Sequence, residues 1–359
     1  MTEKEYLICL STFVPFGPAR IKLLLSYFGS AKKIWTAPPK TLKELGLGQE
    51  RIQEFIRHRD SLDISAYFNR LNKFRIKYLT INDGKYPANL KEISDAPFVL
   101  YFKGEIKSGD ENAIAIVGTR KITSYGKEVT ERFSGELSSF GVTIISGLAR
   151  GVDTFAHRSA IASHGRTFAV VGSGLDNIYP PENLALAGEI EKHGALISEY
   201  PLGYPALPIN FPTRNRLVSG LSKAVLVIEG AAKSGTLLTA SHAADQGKAV
   251  FAVPGQITSP LSAAPLFLLK NGAKLATTTN DILEELDLEV RVDREKMEKV
   301  MPSTKDEGQI LKILENEPLH LDELARISTL DVSKISARLT IMELKGMVKN
   351  IGNGVYKKV

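Results

Sequence analysis

Ala113 to Arg120 reads A-I-A-I-V-G-T-R, and Val142 to Asp153 reads V-T-I-I-S-G-L-A-R-G-V-D. Each is a short β-rich apolar run that breaks directly into a glycine-bearing loop. Polar residues do not alternate within the runs, as they would in a strand with one face in water. Near-continuous apolar strands followed by helical stretches indicate βαβ units and a parallel sheet covered on both faces. The pattern recurs at Thr167–Val171, Ala195–Ser198, Ala224–Ile228 and Ala249–Val253. Four of the runs lead into loops bearing Gly118, Gly147, Gly172 and Gly230. Residues 81–290 are therefore expected to form an α/β domain, a Rossmann-like, doubly wound, mostly parallel sheet.

The flanks differ in character. Residues 1–80 read as short helices separated by glycine turns, with V-P-F-G-P-A-R at Val14–Arg20 and L-G-L-G-Q-E-R-I at Leu45–Ile52. Each turn sets glycines before a helix start with a basic residue close by, an arrangement that lets a phosphate approach free N–H groups. The segment looks like a SAM-like, helix-hairpin-helix domain; a helical cap whose glycines only make turns is the other reading. Residues 291–306 read as a charged linker. In residues 307–359, apolar periodicity marks helices at Gln309–Glu315, Leu321–Ile327 and Val332–Lys345. A hairpin over Val348–Tyr356 turns at Asn353-Gly354. Three helices and a hairpin make a winged helix.

Composition narrows the class. Of 359 residues, 43% are hydrophobic and 24% charged, ordinary for a globular protein. The single cysteine, Cys9, excludes an internal disulfide and any thiolate-rich metal site within one chain. No signal peptide is recognisable, and no apolar run approaches the roughly 18 residues that span a bilayer. A cytoplasmic location without membrane partners is expected. The net charge of +6 is uneven: residues 1–80 carry 14 Lys/Arg against 7 Asp/Glu. That excess suits a phosphate-bearing partner or a solvated helix surface equally.

In open α/β sheets the ligand binds beyond the carboxyl ends of the strands. Here those loops read V-G-T-R from Val117, S-G-L-A-R-G-V-D from Ser146, G-S-G-L-D-N-I-Y-P from Gly172, F-P-T-R-N-R from Phe211 and E-G-A-A-K-S-G-T-L-L-T from Glu229. None is the G-x-G-x-x-G dinucleotide fingerprint, and the last falls short of a Walker A loop, so no cofactor is expected. The second loop can form an anion nest, with Asp153 as the N-cap of the following helix. His157, one turn into that helix, reads more readily as structural than catalytic. Phe211 beside Arg214, Asn215 and Arg216 suits bases stacked on a ring and phosphates held by guanidinium groups. Arg120, Arg214 and Arg216 are expected to converge on one phosphate path.

Taken together, V-G-T-R, S-G-L-A-R-G-V-D-x-x-A-H, G-S-G-L-D-x-I-Y-P-P-E-N, I-S-E, F-P-x-R-N-R and S-G-T-L-x-T-A resemble the DprA/Smf family of DNA-processing proteins. The similarity runs from Tyr86-Pro87 to Val253-Pro254-Gly255. The resemblance implies a non-enzymatic homodimer that binds single-stranded DNA and hands it to the RecA recombinase during natural transformation. Carried over by position, the DNA-binding pocket comprises Gly118, Arg120, Ser146, Gly147, Gly151, Phe211, Arg214, Asn215, Arg216, Ser234 and Gly235. One departure stands out: Ala264, Pro265 and Leu266 replace the family's usual G-[CT]-N.

Two rival readings remain. A nucleoside-monophosphate phosphoribohydrolase shares this fold but needs a glutamate where Thr239 stands, leaving Glu199 and Glu229 as candidate carboxylates. A double-stranded DNA regulator would read with Val332–Lys345, which carries Lys334, Arg338 and Lys345. The net charge of +1 over residues 304–359 argues against strong autonomous binding there.

Overall fold

The structure is a computed structural model that describes residues 1–286, 305–315, 317–328, 330–344 and 347–358. Most of the expected linker, and Lys345, lie outside the described residues. The chain divides into two compact units, Met1–Val290 and Arg291–Val359.

The first unit is built on a nine-stranded sheet of order β1-β2-β6-β5-β4-β3-β7-β8-β9. Its strands are β1 Lys77–Thr80, β2 Val99–Gly104, β3 Ala113–Val117, β4 Thr143–Ser146, β5 Thr167–Val170, β6 Gly194–Ser198, β7 Ala224–Val227, β8 Ala249–Ala252 and β9 Lys274–Leu275. From β3 to β9 neighbouring strands pair in parallel, while β1 and β2 are antiparallel additions beside β6. The six runs read from the sequence are β3 to β8. The strands β1, β2 and β9 extend the sheet beyond that expectation.

Every side chain of β3 is buried, and they divide between two cores with the two-residue period of a strand. Ile114 and Ile116 pack with Phe133 and Leu137, while Ala113, Ala115 and Val117 pack with Leu217 and Val218 on the other face. Helices accordingly cover both sides.

Six helices precede the sheet: α1 Glu3–Ser11, α2 Pro18–Phe28, α3 Ala31–Trp35, α4 Pro39–Glu44, α5 Gln49–Ser61 and α6 Ile64–Lys73. As the glycine turns foretold, α2 starts after Gly17 and α5 after Gly48. This layer has no closed core of its own. Leu7, Phe55 and Leu71 belong to one apolar cluster with Leu148, Val171, Leu175, Leu196 and Leu202 of the sheet and its loops. The remaining helices of the unit are α7 Ala88–Lys91, α8 Ser124–Ser139, α9 Val152–Ala162, α10 Leu184–His193, α11 Asn210–Leu221, α12 Gly235–Asp245, α13 Ala263–Lys270 and α14 Asn280–Glu285.

The second unit holds helices Lys305–Ile313, Leu321–Ser328 and Val332–Leu344 and a three-stranded sheet of Leu319–His320, Val355–Lys358 and Val348–Gly352, in that order. Its own core gathers Ile310, Leu324, Ile335, Leu339, Met342 and Val348. Asn353 (φ 52°) and Gly354 (φ 74°) both take the left-handed conformation that a two-residue hairpin turn demands. This is a winged helix. Among the described residues, no helix is long and apolar enough to cross a membrane.

Candidate functional site

A shallow pocket open to solvent lies beyond the carboxyl ends of β3, β4 and β5. It is lined by Arg120, Gly147, Ala149, Arg150, Tyr179, Pro180, Phe211 and Arg214. Each comes from a loop that follows a strand, or from the first two turns of α11, where the sheet topology exposes backbone and side chains to a ligand.

The floor is Arg214. Its side chain is buried, and Nη1 donates to the carbonyls of Gly147 (2.6 Å) and Val170. Burial pulls its pKa down to about 10, partly offset by Asp153, so the guanidinium stays charged at neutral pH. Asp153 is buried too and accepts from the N–H groups of Gly147 (3.0 Å) and Ala149 (3.2 Å). Burial raises its pKa against the pull of Arg214. The sequence reading made Asp153 an N-cap. Instead Gly151 is the N-cap of α9, and the carboxylate, two residues further in, organises the loop behind it. At Gly147 a Cβ would lie 2.6 Å from the Arg214 guanidinium, so a larger residue would have to displace that side chain. Gly151 has φ +73°, and a Cβ there would overlap the Thr119 carbonyl.

The rim is half exposed. Phe211 and Tyr179 have ring centroids 5.5 Å apart at 43°. The Arg120 guanidinium lies 5.9 Å from the Phe211 centroid, within cation–π range. Arg150 stands exposed at the edge, paired with Glu182. Arg150 and Tyr179 were not among the residues expected at the site, although both sit inside motifs that drew attention: one between two glycines, the other before Pro180.

The other expected residues fall into three places. Gly118 and Ser146 shape the strand ends: a Cβ on Gly118 would overlap Val152, and Ser146 Oγ donates to Ile116 O (2.7 Å). Ser234 and Gly235 open α12 beyond β7, where Asn215 Nδ2 donates to Gly235 O (3.4 Å). They do not line the pocket. Arg216 is the correction to the expected phosphate path. Its side chain is 7% exposed, paired with Glu199 and, at 3.3 Å, with Asp95. Two residues apart on a helix, Arg214 and Arg216 point about 200° apart, so they cannot share one face.

The candidate carboxylates of the hydrolase reading are both engaged. Glu229 accepts from Thr123 N–H (3.1 Å) and Thr123 Oγ1 (2.5 Å), fixing the start of α8. Glu199 holds Arg216. His157 is buried with Nδ1 2.7 Å from Thr167 Oγ1, and burial lowers its pKa to about 3, with Arg214 adding to the shift. It is a neutral structural group. In the departing segment, Ala264 N–H donates to Gly230 O (2.8 Å), so this stretch packs α13 onto the β7 loop.

Fold and site define a doubly wound α/β protein whose ligand end is cationic and aromatic, carried in one chain with a winged helix. The family model for DNA recombination-mediator protein A matches residues 77–287, and the DprA winged helix domain matches residues 294–354. The chain is 33% identical to protein Smf of Synechocystis sp., across 97% of this chain and 96% of that one. It is 36% identical to protein Smf of Escherichia coli, covering 88% and 86%. The structure of DNA processing protein A from Streptococcus pneumoniae superposes with TM-score 0.68 at 32% identity, over 79% of this chain and 98% of that chain. That from Helicobacter pylori, described for its unique single-stranded DNA binding mode, superposes with TM-score 0.53 at 31% identity, over 58% and 95%. The chain belongs to the DNA recombination-mediator protein A family, whose members are also named DprA or Smf.

Proposed function

We propose that this protein binds single-stranded DNA at the strand-end pocket, protects it and loads the RecA recombinase during natural transformation and recombination, acting in the cytoplasm as a homodimer and without catalytic turnover. The observation that carries the reading is the pairing of two half-exposed rings, Tyr179 and Phe211, with the guanidinium groups of Arg120 and Arg150 at one open pocket. Aromatic faces stack on any base, and guanidinium groups hold the intervening phosphates. Bases inside a duplex cannot offer those faces, so the rim favours a single strand. The Helicobacter pylori relative's single-strand binding supports the same ligand. Against the hydrolase alternative stand the engaged carboxylates Glu199 and Glu229.

The test is a binding titration of the full chain with a labelled single strand and with the matching duplex. Tight binding of the single strand, weakened in Phe211→Ala and Arg120→Ala, is expected. Equal affinity for duplex, indifferent to both substitutions, would move the DNA contact elsewhere, with the winged helix first in line. Release of free base from AMP, abolished in Glu199→Ala or Glu229→Ala, would make the protein an enzyme.

A further inference from the structure

The two loops that present the aromatic rim are held from behind by α6. Tyr67 of α6 is buried, and its hydroxyl donates to Tyr101 Oη of β2 (3.2 Å). The same hydroxyl accepts from the N–H of Leu202 (3.4 Å), in the segment that runs from β6 to Phe211. Ser11 Oγ of α1 shares a hydrogen bond with Tyr101 Oη (2.7 Å), tying a second helix of the layer into the chain of hydroxyls. One turn along α6, Arg70 reaches Asp176 (3.8 Å), in the segment that runs from β5 to Tyr179. Asp176 Oδ1 accepts from Gly203 N–H (2.9 Å), and Gly174 N–H donates to Tyr204 O (2.9 Å), so the two segments are also laced to each other.

Apolar anchors follow the same plan. Leu175 and Leu202, one from each segment, are buried in the cluster that contains Phe55 and Leu71 of the helical layer. Leu148, from the loop that supplies Gly147 to the pocket, joins them with φ +59°, a conformation that non-glycine residues seldom hold. By contrast the β7 loop is tied to its own side of the sheet, through Gly230 N–H to Leu261 O (2.7 Å) and Ala264 N–H to Gly230 O (2.8 Å).

We propose that α6 is a positioning element of the pocket: Tyr67 and Arg70 fix the segments that carry Tyr179 and Phe211, so that the helical layer sets the spacing of the two rings and thereby the affinity for a single strand. The affinity part rests on the nucleic-acid reading above; the positioning part does not. Neither residue touches the pocket, so their effect must pass through the loops.

The experiment combines Tyr67→Phe, which keeps the ring and removes the hydroxyl, with Arg70→Ala in the full chain. Amide hydrogen exchange should speed up in residues 172–180 and 199–210 and stay unchanged in residues 229–239, because local opening follows local ties. Single-strand affinity should fall roughly fivefold, in line with the loss of a few modest polar contacts. Phe211→Ala should then cost less in this background than in the parent, the non-additivity expected of coupled sites. Exchange that rises equally in 229–239, or in none of these segments, overturns the proposal, as does strict additivity with Phe211→Ala. Should the double variant fail to fold, Arg70→Ala alone carries the same test, since that side chain is half exposed. If Phe211→Ala leaves parent affinity unchanged, the nucleic-acid reading falls, while the exchange result still decides whether α6 braces the loops.

Discussion

The floor and the rim of the pocket use arginine in opposite ways. On the floor, Arg214 is buried and its Nη1 donates to the carbonyls of Gly147 and Val170, within the electrostatic reach of the Asp153 carboxylate. On the rim, Arg120 and Arg150 are exposed, one over an aromatic ring and one in a surface ion pair. The floor gives the loop after β4 its shape, and the rim is left to meet a ligand. A count of positive charges at the strand ends misses this division, because a buried guanidinium whose Nη1 is already committed to two carbonyls offers a ligand less than an exposed one does.

The largest effect should come from the floor. Arg214→Ala removes the donor to two buried carbonyls and the positive charge that offsets the buried Asp153 carboxylate, and each buried polar group left unpaired costs about 1–3 kcal/mol. Urea unfolding of the variant should show a loss of that order. A variant as stable as the parent that loses only DNA binding would make Arg214 a ligand contact and erase the distinction.

On the rim, Phe211→Ala should leave the unfolding midpoint nearly unchanged and weaken single-strand binding by about 1–3 kcal/mol, the usual contribution of one stacked base. Calorimetric or anisotropy titration at fixed salt reads this directly. Loss of stability without loss of binding would place Phe211 with the floor.

The floor also has a pH signature. The unfolded chain takes up a proton on His157 near pH 6.5, but burial and the charge of Arg214 keep the folded imidazole neutral down to about pH 3. Stability from this group is therefore full above pH 6.5 and declines as pH falls toward 3, by about 2 kcal/mol between pH 7 and 5. In His157→Gln the fall in unfolding free energy over that interval should shrink by the same amount. An unchanged slope would mean that the histidine is protonated in the folded state.

The smallest effect belongs to Arg120. Its replacement by Ala should lower affinity for every sequence alike and reduce the salt slope of single-strand binding by about 0.7, the share of one phosphate contact. A slope unchanged within error would leave Arg120 as a cover for the Phe211 ring.

Much of this was legible in the sequence, and the gaps have physical causes. The strands β3 to β8 announce themselves because burial on both faces demands unbroken apolar runs. The strand β2, V-L-Y-F-K-G at Val99–Gly104, is as apolar, but its antiparallel place beside β6 depends on a partner some ninety residues away. The pocket loops were visible as glycine clusters. Arg216 departs from the expected phosphate path because F-P-T-R-N-R is a helical segment, not a loop that presents all its groups to one ligand. As the first turns of α11, it sets Phe211, Arg214 and Asn215 on one face and Arg216 on the other. That helical period was available in the sequence. The burial of Arg214 was not, since it follows from the glycine at 147 and the acid at 153 closing over it.

The sheet ends on β9, a strand of two residues that pairs Lys274 with Phe251 and Leu275 with Ala252. Both residues are exposed, and Lys274 is held by Glu285 of α14. A strand so short, with a charged side chain on it, offers little backbone for another chain to copy. Growth of the sheet from molecule to molecule is discouraged at this border, so a concentrated solution of the protein is protected there from fibrous association.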